Sequence, residues 1–560
     1  MDHKSRNWLV LSIIGFLIWE WYYLKSTPLE LEKPEKAAVV PPLSSSSVSS
    51  SAHLSTIPST ASKTAVLHNT VADYWFASHF GGIFKIIILN HLDDNHMPIT
   101  INSNSEFPIG ALWNAYDMPP IGGFSMKVNK TTRSVTFTKV TKNGMRLTKR
   151  FSLFSERHKD NQYQIRLELI FQNSTAIDIY WPSYWISTGS ITPIRSTDLP
   201  NYSQFNWSNG NKLASIDVGW FDGASVPILG VTTRTPAALY QKSVASVKWA
   251  SVSNQYFCTV LITTPNSLGD GVWARRILLQ TNPQLHGIDG RIKMPGFSVA
   301  SGGTSIQSFV VYSGPKELKR LQAMGDGQEN ILTYGPFRMV SECLLSAMNW
   351  FHDIFGNYAW AIITLTLLIK LCLWPLQNKA TRSMRQMSLL APKITELREK
   401  YKDDPQKMNE EMMKLYRMYG INPFGGCLPM LIQIPIFFGF YSMLGTSIEL
   451  RNSSFLWIRD LSQPDTLLHI LGFPINPLPI VMATTMIWQM AISPKGGDVL
   501  QQRIFYFMPL IFLAFCYNYA SGLALYWTTQ NIFSIIQIHL TRNQPLPQPK
   551  VMKHYSSWKG

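Results

Sequence analysis

Beyond residue 356 the chain alternates between apolar runs and short polar connections, and this pattern limits the possible folds more than any other feature. Residues 358–374, 427–444, 478–492, 504–519 and 522–540 form five such runs. Each is close to the about 20 residues that a helix needs to cross the hydrocarbon of a bilayer. Backbone groups in lipid must be hydrogen-bonded internally, so the expected state of each run is a membrane-spanning helix. The third run, with Pro474, Pro477 and Pro479 at its entrance, fits this template least well.

Charge orients the runs. The formal net charge of +16 would suit nucleic acid, anionic lipid or cytoplasmic loops. Between the first two runs, residues 379–417 hold ten Lys and Arg, whereas residues 446–474 hold only Arg451 and Arg459. Positive loops stay in the cytoplasm, so the first connection faces inward. The end of the chain, 542–560, carries Arg542, Lys550, Lys553 and Lys559 and falls on the same side. No nucleic-acid specificity is expected.

The first 25 residues contain a further apolar run, residues 8–24, behind Lys4 and Arg6. Glu20, the aromatic residues Trp19, Trp21, Tyr22 and Tyr23, and the lack of an A-x-A-like site favour a retained anchor (1–25) over a cleaved signal. That makes six spans with both ends inside. Residues 26–62 are rich in Ser and Pro, including Pro34, Pro41 and Pro42, and read as a disordered tether. Residues 63–335 show short alternating segments. The stretch 134–140, the turn Lys142-Asn143-Gly144 and the stretch 146–154 form a strong hairpin signal, and 164–171 alternates likewise. A large β-sandwich outside the cytoplasm is expected. Within it His91, Asp93, Asp94 and His96 match no specific ligand spacing, and a polar loop is the simpler reading.

Residues 336–356 place Phe337, Val340, Leu344, Met348, Phe351 and Phe355 at helical intervals, which predicts an amphipathic helix lying flat on the outer membrane face. The basic connection 376–421 carries two apolar stripes, from Met384 to Tyr401 and from Met408 to Tyr419, separated by Asp403-Asp404-Pro405. A helical hairpin follows, its methionines forming either the seam or an adaptable surface for apolar substrates.

Lys370 lies inside the first run, where a charge is costly. It either snorkels toward the nearby cytoplasmic edge or lines a polar cavity, with Thr366 one turn earlier on the same face. Gln433 in the second run, and Tyr526, Thr528, Thr529, Gln530 and Asn531 in the last, either bond neighbouring helices or line a wet interior. The five cysteines, Cys258, Cys343, Cys372, Cys427 and Cys516, show no C-x-x-C spacing. Phosphate-loop, dinucleotide, H-E-x-x-H and G-x-S-x-G motifs do not occur, so neither an ATP-driven machine nor a hydrolase is indicated, and no cofactor is expected.

Four segments resemble one family: Lys370-Leu-Cys-Leu-Trp-Pro375, Asn422-Pro-Phe-Gly-Gly-Cys-Leu-Pro429, Gln433-Ile-Pro-Ile-Phe437 and Ser521-Gly-Leu-Ala-Leu-Tyr526. They are similar to the YidC/Oxa/Alb insertases of the Gram-negative type, over residues 337–540 most strongly. The resemblance implies a polytopic α-helical membrane protein with a five-helix insertase core (357–541) and a β-supersandwich periplasmic domain. It implies a membrane insertase and chaperone, not an enzyme, acting through a cytoplasm-open groove. Implied partners are nascent inner-membrane proteins, the Sec translocon, membrane lipids, and ribosome or signal recognition particle components at the hairpin and basic tail.

By the same resemblance the groove arginine falls on Lys370 and its partner threonine on Thr366. The substrate-sliding helices fall around Gln433, Pro435, Phe515 and Tyr526. Lys370 departs from the family's arginine: it keeps the charge and loses the planar fork of donors. Trp527 beside Tyr526 is a second departure, a bulkier aromatic neighbour. Two rival readings remain open, a solute transporter and an envelope carbohydrate-binding protein or enzyme acting through its β-domain.

Overall fold

Along the strand Met145–Leu153 every second side chain is buried, at Met145, Leu147, Lys149 and Phe151, because successive residues of a strand point to opposite faces. It pairs on one side with Ser134–Val140 and on the other with Gln164–Asn173, so the predicted hairpin forms in the expected register. Gly144 closes the turn at φ 85°, in the left-handed region that glycine adopts freely, and its N–H donates to Thr141 O at 3.0 Å.

The computed structural model describes residues 62–103, 105–115, 117–154, 161–195, 198–225, 232–279, 285–420, 428–493 and 499–541. The expected anchor, the tether short of its last residue, and the basic tail lie outside the described residues. The chain divides into a β-rich unit ending at Leu332 and a helical unit beginning at Thr333.

In the β-rich unit a nine-stranded antiparallel sheet runs in the order Leu213–Asp217, Gln204–Ser208, Trp249–Ser253, Phe257–Thr263, Thr304–Pro315, Gln164–Asn173, Met145–Leu153, Ser134–Val140, Ser125–Asn129. A five-stranded sheet lies over it. Its strand Tyr184–Ile191, buried at every position, crosses Trp249–Ser253 and Phe257–Thr263. A four-stranded sheet, Thr64–His68 through Pro98–Ile101, completes the layering. Helix α1, Leu318–Ala323, follows the last long strand. Asp93 Oδ1 caps a turn by accepting from Asn95 N and Met97 N, both at 2.9 Å, and the two oxygens of Asp94 share the N–H of Arg195 Nε, each at 2.8 Å. The residues that invited a metal reading thus shape a loop and an ion pair.

Lys149 is the unexpected member of this core. Its ammonium donates to Phe80 O at 2.9 Å, Gly81 O at 3.0 Å and Gly110 O at 2.9 Å, with the Phe124 ring centroid 4.5 Å away. Burial pushes the amine well below its ordinary pKa, while three carbonyls, one for each N–H of an ammonium, act in the opposite sense. The side chain pins two turns to the central strand.

In the helical unit the five apolar runs become α3 (Tyr358–Leu389), α6 (Leu428–Thr446), α7 (Pro477–Ile492), α8 (Val499–Cys516) and α9 (Ser521–Thr541). The doubtful third run forms because Pro477 and Pro479 fall in the first turn of α7, where their missing N–H groups cost nothing. Among the described residues one helix, α3, is long and apolar enough to cross a membrane by itself; α6, α7 and α8 contain shorter apolar helices. Large apolar side chains nevertheless stand exposed along these helices, including Leu368, Leu371, Ile480, Trp488, Phe507, Leu510, Ile532 and Leu540. A surface of that kind suits hydrocarbon and not water.

Helix α2 (Arg338–Phe355) carries the predicted apolar stripe, of which Leu344, Met348 and Phe351 are buried where the helix packs on α3 and α6. Gly439 permits this approach, since a Cβ there would lie 2.9 Å from Val340 Cγ1, and Ser341 Oγ donates to Gly439 O at 3.1 Å. The opposite face exposes Met339, Trp350 and Ile354.

The boundary expected at residue 375 is also displaced. Helix α3 continues through Pro375 to Leu389, since an internal proline deletes one hydrogen bond without ending a well-supported helix. The break comes at Leu390, before α4 (Ala391–Lys400), where Pro392 occupies the first turn. Helix α5 (Pro405–Met418) starts as the sequence predicts, with Asp404 accepting from Lys407 N at 3.1 Å. The hairpin seam consists of Leu390, Leu415 and Tyr416, with Met387, Ile394, Leu397, Met418 and Tyr419 packed against them.

Replacing Lys149 with Met should leave three carbonyls unpaired and cost about 3 kcal/mol or more, at about 1–3 kcal/mol for each buried unsatisfied group. Thermal unfolding of the full chain in detergent should show a clearly lower midpoint for the β-rich unit. An unchanged midpoint would contradict the pinning role.

Candidate functional site

Helix α9 presents polar residues at Tyr526, Gln530, Ser534, Gln537 and Thr541, each three or four positions after the last, so they share one face. That face is met by four polar side chains from other helices. Gln433 Nε2 of α6 donates to Tyr526 Oη at 2.9 Å and to Gln530 Oε1 at 3.0 Å. Lys370 Nζ of α3 donates to Ser534 Oγ at 2.7 Å. Gln537 Nε2 donates to Asn378 Oδ1 at 3.0 Å, and Arg385 Nη1 to Thr541 O at 2.9 Å. The result is a ladder of polar contacts along α9 joining α3 and α6, inside a bundle whose other surfaces are mostly apolar.

Lys370 decides the character of the ladder. It is 6% exposed, so the side chain does not snorkel to an aqueous edge. Ser534 Oγ is also held to Gln530 O at 2.9 Å, and no carboxylate pairs with Lys370 among the described residues. One hydroxyl leaves most of an ammonium's hydrogen-bonding capacity and all of its charge uncompensated. Such a group attracts an anionic or strongly polar partner.

The other predicted residues divide between the ladder and its surroundings. Gln433 and Tyr526 belong to the ladder, and the Tyr526 ring stacks on Phe440 at 4.0 Å. Thr366 is buried near Lys370 in sequence but turns its hydroxyl to Ile362 O at 2.7 Å, satisfying its own helix instead of extending a wet wall. Trp527, one residue on from Tyr526 and therefore about 100° around the helix, joins an aromatic group with Phe437 at 4.6 Å and Phe512 at 4.3 Å. Phe515 stands 43% exposed on α8 with Tyr441 at 5.6 Å. Pro435 sits half-buried inside α6, from whose ladder it removes one N–H. Asn531 serves packing, donating to Met482 O and Thr485 Oγ1 of α7, both at 3.2 Å.

Ser534, Gln537 and Asn378 were missed by sequence reasoning. The signal was present in the spacing 526, 530, 534, 537, 541, one helical face of the last run, although nothing local tells which partner each residue meets.

A profile described as "60Kd inner membrane protein" matches residues 350–547, and one described as "YidC periplasmic domain" matches residues 115–347. The chain is 40% identical over 294 residues to the "Membrane protein insertase YidC" of Herminiimonas arsenicoxydans, covering 52% of this chain and 50% of that protein. It is 43% identical over 249 residues to the same-named protein of Janthinobacterium sp. (strain Marseille), covering 44% of each. These matches span about half the length of the curated relatives. A crystal structure titled as an active YidC insertase with its first transmembrane domain resolved is 18% identical, over 96% of this chain and 100% of that one, with a TM-score of 0.34.

Ser534→Val should destabilise the detergent-solubilised chain by about 1 kcal/mol, the usual worth of a hydrogen bond between helices in a membrane protein. In a Lys370→Met background the same change should cost clearly less, because the bond to Lys370 is already absent and only the one to Gln530 O is lost. Thermal unfolding of the four proteins measures the coupling; additive effects would show that the Lys370–Ser534 contact contributes nothing.

Proposed function

Because the chain belongs to the YidC family of inner-membrane proteins, we propose that it is an insertase and chaperone that carries other proteins into the bilayer without a covalent reaction. The observation that carries this reading is Lys370, a buried ammonium within the one described helix apolar and long enough to cross a membrane, held among the described residues by a single hydroxyl on a polar helix face.

In this reading six spans, five of them the core, place both termini in the cytoplasm and the β-rich unit in the periplasm. The ladder along α9 lines a groove open to the cytoplasm. A substrate's polar or acidic tail enters near Lys370, and its apolar segment moves past Pro435 and Phe515 into lipid. The groove shortens the path over which the tail is stripped of water. Burial of the substrate's apolar surface drives the step at about 25 cal/mol per Å². The membrane potential adds to this for an acidic tail. Exposed aromatic side chains such as Phe515 offer a soft apolar face to segments of varied sequence. The hairpin of α4 and α5, with its basic residues, offers a docking element for ribosome or signal recognition particle components, and the Sec translocon is a second partner for longer substrates. Lys370 in the arginine position acts as a point charge, so steering survives without bidentate bonding.

Reconstitution in liposomes tests the proposal. A short single-span substrate with an acidic outer tail should become protease-protected above the protein-free background. Lys370→Ala and Lys370→Met should lose most of that gain, and Lys370→Arg should keep it. Full insertion by the Ala variant would remove the charge from the mechanism, and saturable flux of a small solute in place of insertion would favour a transporter.

A further inference from the structure

Eight non-glycine residues among those described have a positive φ between 46° and 61°, the left-handed region that side chains with a Cβ avoid. Six are polar or charged: His96, Asn102, Arg133, Ser246, Asp326 and Asn452. The two apolar ones are Leu456 at φ 53° and Leu471 at φ 51°, both in the connection between α6 and α7. Leu471 and Gly472, at φ 82°, form the two-residue turn of a hairpin pairing Leu468–Ile470 with Phe473–Ile475. A turn with both central residues at positive φ strongly prefers Asn-Gly or Asp-Gly. Leucine there opposes the local preference, and its side chain is fully exposed. Leu456 repeats the anomaly at 76% exposure. A residue unsuited to its backbone and unburied by its own chain points to a contact outside the chain.

The two loops are firmly held. Asp465 Oδ2 accepts from Trp457 Nε1 at 3.0 Å and from Leu478 N at 2.7 Å, joining the Leu456 loop to the start of α7. Asn476 Nδ2 donates to Tyr517 O and Tyr517 Oη to Pro474 O, both at 2.6 Å, fixing the base of the hairpin. Rigid, anchored loops with apolar tips are built to present those tips.

We infer that the tips of these loops, Leu456, Trp457, Leu468, Ile470, Leu471 and Phe473, enter the boundary between lipid headgroups and acyl chains and fix the depth of the helical unit. Three observations favour lipid over a protein partner. Residues 466–492 contain no Asp, Glu, Lys or Arg, so the apolar surface passes without a charged border from the hairpin into α7. That helix continues it with exposed Ile480, Val481, Ile487 and Trp488. The Trp457 ring is 43% exposed while its N–H is satisfied, the arrangement that suits tryptophan to a membrane interface. A two-stranded hairpin keeps unpaired backbone groups along both outer edges, which limits it to the boundary and keeps it out of the hydrocarbon centre.

The inference rests on the membrane placement proposed above, and one experiment separates the two. The five cysteines are changed to alanine, a single cysteine is introduced at Leu471 and labelled with an environment-sensitive fluorophore, and the chain is reconstituted in phosphatidylcholine–phosphatidylglycerol liposomes. Flotation after a carbonate wash reports whether the helices are in the membrane at all. With flotation intact, the Leu471→Cys label should emit as in an apolar setting and be quenched by lipids spin-labelled near the top of the acyl chain. With iodide present on both sides of the membrane, its quenching should be several-fold weaker than that of a label at Met413→Cys on the exposed side of α5. Leu468→Cys gives the same readings if Leu471→Cys does not fold. Strong iodide quenching at both positions would overturn the inference, as would lipid-independent emission together with disulfide-linked dimers of the unlabelled cysteine variant under mild oxidation, which would make the occupant a second copy of the chain.

Discussion

The contact between Lys370 and Ser534, 2.7 Å and 164 residues apart in sequence, is the constraint around which the helical unit is arranged. An ammonium cannot face hydrocarbon, so α3 must turn this position toward the one helix face able to receive it. Helix α9 supplies that face. Once it is turned inward, Gln433 of α6 finds Tyr526 and Gln530, and Gln537 finds Asn378. The leucines of α3 on the other side, Leu367, Leu368 and Leu371, are correspondingly left outward. One charge thus sets the rotation of α3 and, through α9, the packing of α6.

The two units solve a similar problem by different means. In the β-rich unit Lys149 is also a buried cation in an apolar layer, but three backbone carbonyls satisfy it fully, and it acts as a rivet. Lys370 has one hydroxyl. The contrast is one of saturation: a saturated cation needs nothing further, whereas an undersaturated one keeps affinity for whatever polar group can approach it.

Several local expectations failed where tertiary contacts outweighed them. Pro375 was expected to end a span, yet the 32-residue helix α3 continues through it to Leu389, losing one hydrogen bond there. The apolar stripe of α2 was legible in the sequence but its cover was not: it packs on α3 and α6, where Gly439 lets the helices approach closely. Periodicity shows that a helix has an apolar face and is silent on whether lipid or protein covers it.

The sequence by itself determined the elements: strands from period-two alternation at 134–140 and 146–154, helices from the apolar runs after 356, and the break at Asp404-Pro405. It also singled out Lys370, Gln433 and Tyr526, because a polar group in an apolar run stands out by composition alone. Only the tertiary structure decided that Ser534 receives Lys370, that Thr366 turns back on its own helix, and that Trp527 leaves the polar face for an aromatic group. The reason is physical. Propensity and periodicity act over a few residues, whereas the partner of a buried polar group is chosen by which helix faces it, and that choice is made by the packing of the entire bundle.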